Sequence, residues 1–122
     1  MQRFGTCVVV VGFCALSKAC VGSGTSGSDN EQVLRKELAY LSDVNEVAWV
    51  EFDDNDVYIG FAARPSDLGA VVNAAAVNGN RAIDFGVHVW AVSADRRGWR
   101  PGSGPYYCEA TARYGKLENA CR

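Results

Sequence analysis

The sequence has no basic surface of any extent, one histidine, and no apolar run long enough to cross a bilayer. Twelve basic residues against fourteen acidic ones leave a formal charge of −2. The densest basic patch is three arginines within five residues, Arg96, Arg97 and Arg100. A nucleic-acid binder carries a larger basic footprint, so no nucleic-acid partner is expected. The longest apolar stretch, GTCVVVVGFCAL at residues 5–16, falls short of the about 20 residues that a span requires. A single histidine, His88, is too few for the usual zinc ligand sets, and no C-x₂₋₄-C pair supplies the rest. The acidic stretch FDDNDVY lacks the glycine and terminal glutamate of an EF-hand loop. No G-x-S-x-G, H-E-x-x-H or phosphate-binding glycine loop is present. Neither a metal nor a cofactor is expected.

What is present is a normal globular composition. The chain has 122 residues, 48% hydrophobic and 21% charged, which suits one folded domain and excludes a mainly disordered chain. Its N-terminus reads as an export signal: Arg3, then the short apolar core, then small residues. Ser17 and Ala19 fit the −3 and −1 places of a signal-peptidase site ahead of Cys20. GSGTSGSDN, residues 22–30, follows as a Gly/Ser-rich tether with no packing face.

LSKAC, residues 16–20, also resembles a bacterial lipobox, in which the cysteine after the cut carries lipid. Leu16 stands one place earlier than the usual leucine, and Lys18 departs from the pattern. Cysteine parity supports lipidation. Cys7 and Cys14 leave with the signal, so Cys20, Cys108 and Cys121 remain, an odd number for an exported protein. Lipid on Cys20 leaves Cys108 and Cys121 to pair. In an oxidising compartment two such thiols form a disulfide, and their C-x₁₂-C spacing fits neither a metal knuckle nor a C-x-x-C redox pair. The expected organisation is a signal peptide at 1–19, a tether at 20–29 and one domain at 30–122. The resemblance implies an exported lipoprotein, membrane-anchored at the periplasm or cell surface.

Periodicity gives the domain's elements. Ser28 and Glu31 form an S-x-x-E capping box. Val33, Leu34, Leu38 and Leu41 then recur at helical spacing, predicting a helix over Asn30–Ser42. Residues 45–62 alternate with period two around an acidic DDND turn and read as a hairpin. Pro65 closes the strand, and Ser66 or Asp67 caps the start of a second helix over 64–80, with Asn78-Gly79 as its stop. Residues 81–94 read as a third strand, with Ile83, Phe85, Val87, Val89 and Ala91 on its apolar face. A fourth follows at Tyr106–Tyr114, and a short tail returns Cys121. The expected fold is α+β: a two-layer sandwich of order αββαββ, with a four-stranded antiparallel sheet and two helices on one face.

Three places invite a functional reading. The loop DRRGWRPGSGPYY gathers Arg96, Arg97, Trp99, Arg100, Tyr106 and Tyr107, the residue types that binding hot spots favour. Its bland alternative is Trp99 folded over an open sheet edge among solvated arginines. The mixed strand face of Asp84, His88 and Trp90 is a second candidate, one wall of a small-ligand pocket. A hydrolase or metal enzyme built on His88 is the third, and it lacks a nucleophile and an orienting group in view. The sequence therefore predicts a small non-enzymatic interaction module of the cell envelope, docking an envelope protein through the Arg/aromatic loop.

Overall fold

The computed structural model describes residues 29–122. The expected signal segment, Cys20, most of the tether and the Ser28 half of the capping box lie outside them. The domain is α+β: two α-helices and a five-stranded mixed sheet, where four antiparallel strands were expected. The elements are α1 (Asp29–Glu37), β1 (Val47–Asp53), β2 (Asp56–Phe61), α2 (Leu68–Ile83), β3 (Val87–Ser93), β4 (Cys108–Arg113) and β5 (Lys116–Asn119). The strands lie in the sheet in chain order.

Two features account for the corrected topology. The β2–β3 pair is parallel, because α2 carries the chain back along the sheet before β3 begins. The other three pairs are antiparallel. The predicted tail forms the fifth strand through a two-residue Tyr114-Gly115 turn, with Arg113 paired to Lys116. Both turn residues have positive φ, 53° and 75°, as a type I′ hairpin requires. Tyrosine is a poor sequence signal for that turn, which usually opens with Asn or Asp.

The helices also differ from their expected limits. α1 stops at Glu37, and the leucine pattern continues in a 3₁₀ turn over Ala39–Asp43. Leu34, Leu38 and Leu41 are buried, whereas Val33 and Tyr40 face solvent. α2 begins at Leu68, with Asp67 at the N-cap position making no side-chain capping bond. It runs through Asn78-Gly79 and ends at Ile83, where Asp84 takes the left-handed conformation and its N–H reaches Asn80 O. Gly79 stays helical because α2 passes close to its neighbours there. A Cβ at that position would lie 2.9 Å from Leu34 Cδ2 and 3.4 Å from Val87 Cγ1. β3 therefore starts four residues after Ile83, and Phe85 is exposed on the connecting turn instead of joining the apolar face.

The helix-side core is built from Val57, Ile59 and Phe61 of β2, Val87, Val89 and Ala91 of β3, and Ala110 and Ala112 of β4. Leu34, Leu38, Leu41, Leu68, Val72, Ala75 and Ala76 meet them from the helical layer. Small alanines on both α2 and β4 permit close packing between those elements. Two asparagines on α2, two turns apart, fix the last hairpin. Asn80 donates to Phe85 O (2.6 Å) and accepts from Gly115 N (2.7 Å). Asn73 accepts from Cys121 N (2.7 Å) and donates to Cys121 O (3.2 Å). The Cys108–Cys121 disulfide is formed, with Cα atoms 5.3 Å apart. Glu31 is buried, pairs with Arg35, and accepts the Asp54 N–H at the β1–β2 turn (3.0 Å).

Candidate functional site

The sheet's second face is covered by the Arg/aromatic loop. Strand alternation puts Trp49, Glu51 and Asp53 of β1 on this face, with Asp56, Tyr58 and Gly60 of β2 and His88, Trp90 and Val92 of β3. The register aligns Glu51, Tyr58, Trp90 and Glu109 in one row across four strands. The neighbouring row runs Asp53, Asp56, His88 and Thr111. Trp49 lies across from Gly60. Its indole occupies the volume a Cβ would need there, and its Nε1 donates to Ala94 O at 2.8 Å.

Trp99 drops onto the row of Tyr58 and Trp90. It is only 4% exposed and forms a second apolar cluster with Trp49, Tyr58, Trp90 and Val92. Its ring centroid is 6.1 Å from Tyr58, 6.3 Å from Trp90 and 5.3 Å from Tyr106. Its Nε1 donates to Gly104 O at 3.1 Å, so the indole is satisfied where it sits. Gly98 makes the turn possible, with φ 87° and its N–H directed to Glu51 Oε1. Trp99 covers the sheet and is not an exposed anchor.

The arginines divide into two kinds. Arg97 lies over the Trp49 ring (5.6 Å) and pairs with Glu51 (3.3 Å). Arg100 lies over Tyr58 (4.4 Å) and pairs with Glu51 and Asp53, each at 3.7 Å. Both fasten the loop to β1 and β2. Arg96 makes no ion pair among the described residues. It borders a cleft of about 220 Å³ lined with Ser93, Pro105, Tyr106 and Tyr107. Tyr106 is exposed there, with its hydroxyl 3.5 Å from Glu109. Tyr107 is half-buried on the helix side of the chain, with the Arg64 guanidinium 5.4 Å from its ring centroid. Thus Arg96, Tyr106 and Tyr107 come together at one cleft, while Arg97, Trp99 and Arg100 are committed to the loop's own packing.

His88 stacks on Trp90 (4.5 Å between centroids), and its Nε2 lies 3.8 Å from Glu109 Oε2. Glu109 went unnoticed in the sequence, because only the β3–β4 register brings it beside His88. Thr111 lies across from His88, but no hydrogen bond joins them among the described residues. Asp84 is on the α2–β3 turn, off the strand face where it was expected. No group of three potential metal ligands occurs among the described residues, and no helix there is long and apolar enough to cross a membrane.

Burial raises the Asp56 carboxyl above its ordinary value of 3.8. His88 opposes the rise, Asp53 and Asp54 add to it, and Arg100 opposes it more weakly. A carboxyl with a raised folded-state pKa holds its proton more tightly in the folded protein than in the unfolded chain. Its stabilising contribution is full below the unfolded value and is lost as pH rises through the folded one. Asp56→Asn should therefore raise the melting temperature at neutral pH and give no such gain near about pH 3, where the wild-type carboxyl is protonated. Paired thermal melts at the two pH values check this.

Comparison with protein-family models, curated proteins and solved structures yields no match to the chain.

Proposed function

We propose that the protein is an exported, lipid-anchored binding module of the cell envelope, tethered through Cys20, and that it docks a partner protein at the Arg96–Tyr106–Tyr107 cleft. The observation that carries the reading is the division within the loop. Two arginines and the tryptophan are spent on covering the sheet, and Arg96 and Tyr106 are left outward beside a mostly apolar cleft. Arg and Tyr are residues that interface hot spots favour, and here they stand on a loop anchored by several ties. A short acidic or carboxylate-bearing segment of the partner suits Arg96, with the tyrosine rings packing beside it. A non-enzymatic role fits this arrangement.

Crosslinking in cells tests it, with Arg96→Ala and Tyr106→Ala combined. The expected outcome is loss of specific crosslinked partners with a far smaller drop in melting temperature than Trp99→Ala gives, since Arg96 lies outside the apolar cluster and Tyr106 touches it only at Trp99. An unchanged set of partners overturns the docking surface. Intact mass of the membrane-extracted protein separately tests signal removal and lipid on Cys20.

A further inference from the structure

The opposite end of the sheet carries a second cleft, of about 460 Å³, lined by Asn55, Asp84, Phe85, Arg113 and Tyr114 among others. β3 and β4 are antiparallel, so this cleft sits before β3 and after β4, whereas the Arg96 cleft sits at their other ends. Seven strand residues separate the two, roughly 20 Å.

Two aromatic rings are left out of the core at its rim. Phe85 is 58% exposed and Tyr114 is 92% exposed, the two most exposed large hydrophobic side chains among the described residues. Neither ring is on a loose segment. Buried Asn80 holds both turns at once, through Phe85 O and Gly115 N. The spacing of the rings' backbones is therefore set by one side chain from α2. Tyr114 also holds an unfavourable conformation, with φ 53° at the first position of a type I′ turn. Asn or Gly is the low-strain choice there, and a bulky residue at positive φ is uncommon. A strained, outward-facing aromatic on a fixed turn suggests function more than stability.

We infer that this cleft is a saccharide-binding site, with Tyr114 and Phe85 as its stacking platforms. A pyranose ring has one face rich in C–H groups, which packs on the electron-rich face of an aromatic ring. Its hydroxyls both donate and accept, and the cleft supplies partners for each: a carboxylate that accepts (Asp84), a guanidinium that donates (Arg113) and an amide that does both (Asn55). Arg113 pairs with Glu118 through Nε, and its terminal amino groups make no ion pair among the described residues. With Arg113 already paired to Glu118, Asp84 leaves the cleft with no net positive charge, which favours a neutral polyol over a phosphate. The site is distinct from the protein-docking cleft and does not depend on it.

The probes are a β-1,4-linked trimer of N-acetylglucosamine and, as the all-hydroxyl counterpart, cellotriose. Each is titrated into the isotopically labelled protein and followed by amide NMR. With at least one of them, the Asn55, Gly86, Tyr114 and Gly115 resonances should shift in a saturable way. Tyr114→Asn should weaken that binding about tenfold or more. The same substitution should leave the melting temperature equal or higher, because asparagine relieves the turn. That outcome separates lost recognition from lost folding. Arg96→Ala should leave sugar binding unchanged. The inference is overturned if neither sugar shifts these resonances at millimolar concentration, or if Tyr114→Asn binds as well as wild type. It is also overturned if a short tryptophan-containing peptide shifts the same resonances and the sugars do not.

Discussion

Replacing Trp99 with alanine is expected to lower the melting temperature by about 15–25 °C, corresponding to about 3–5 kcal/mol for truncating a buried tryptophan in a domain of this size. Trp99 contacts Tyr58, Trp90 and Tyr106, and its removal opens a cavity between the loop and the sheet. The indole's bond to Gly104 O disappears as well. The loop's remaining ties, the largely exposed Arg97 and Arg100 guanidiniums paired to Glu51 and Asp53, are too solvated to replace it. The helix-side core is a separate cluster and should persist. Far-UV circular dichroism should stay near native while limited trypsin cleaves at Arg96 or Arg97 long before global unfolding. Trp99→Phe, which keeps a ring in the cavity, should lose less than half as much. A small drop for Trp99→Ala, with the loop still resistant to trypsin, would show that the loop is held by its ion pairs instead.

The same result bears on how binding at this loop is measured. A Trp99→Ala variant that loses a partner reports loop opening and lost contact together. Arg96 stands outside the buried cluster, so its variant isolates the contact, whereas Tyr106 also packs on Trp99.

Periodicity made the apolar layers legible, because strand alternation and helical spacing are local properties. Leu34, Leu38, Leu41, Val57, Ile59, Phe61, Val87 and Val89 fall where their spacing puts them. The elements that went unread depend on distant contacts. Gly79 looks like a helix stop, yet it is a point of close approach between α2, Leu34 and Val87. Tyr114-Gly115 lacks the usual first residue of its turn, and the strain is offset by Asn80 from 35 residues away. The parallel β2–β3 pair follows from the α2 crossover, which a list of elements does not orient. In the loop, composition singled out the segment but not how its arginines divide between packing and the cleft. Whether an arginine is free or stacked depends on Glu51 and Tyr58, more than 35 residues upstream. The two cysteines were legible because their parity and spacing left few alternatives.

Removing the disulfide, by Cys108→Ala with Cys121→Ala, is expected to cost about 2–3 kcal/mol and about 10–20 °C in melting temperature. The bond closes a loop at a sequence separation of 13, for which chain entropy alone gives roughly 3 kcal/mol. The loss should fall somewhat below that figure because the chain end has a second tie. Asn73 bonds both the N–H and the carbonyl of residue 121, and β5 remains paired to β4. Reduction of the wild-type protein should reproduce the drop with the far-UV spectrum intact. Asn73→Ala in the oxidised protein removes two hydrogen bonds and should cost about 1–2 kcal/mol. The two ties hold the same short segment, so each makes the other easier to form. Once the disulfide is gone, the Asn73 bonds must also order the tail, and their net contribution shrinks. The triple variant should therefore cost less than the sum of its parts, by about 0.5–1 kcal/mol in a double-mutant cycle. Hydrogen exchange should show its largest deficit at residues 116–122, beyond the loss that lower global stability imposes on the core amides. Strict additivity would mean that Asn73 stabilises α2 independently of the chain end, and that the disulfide alone docks the C-terminus.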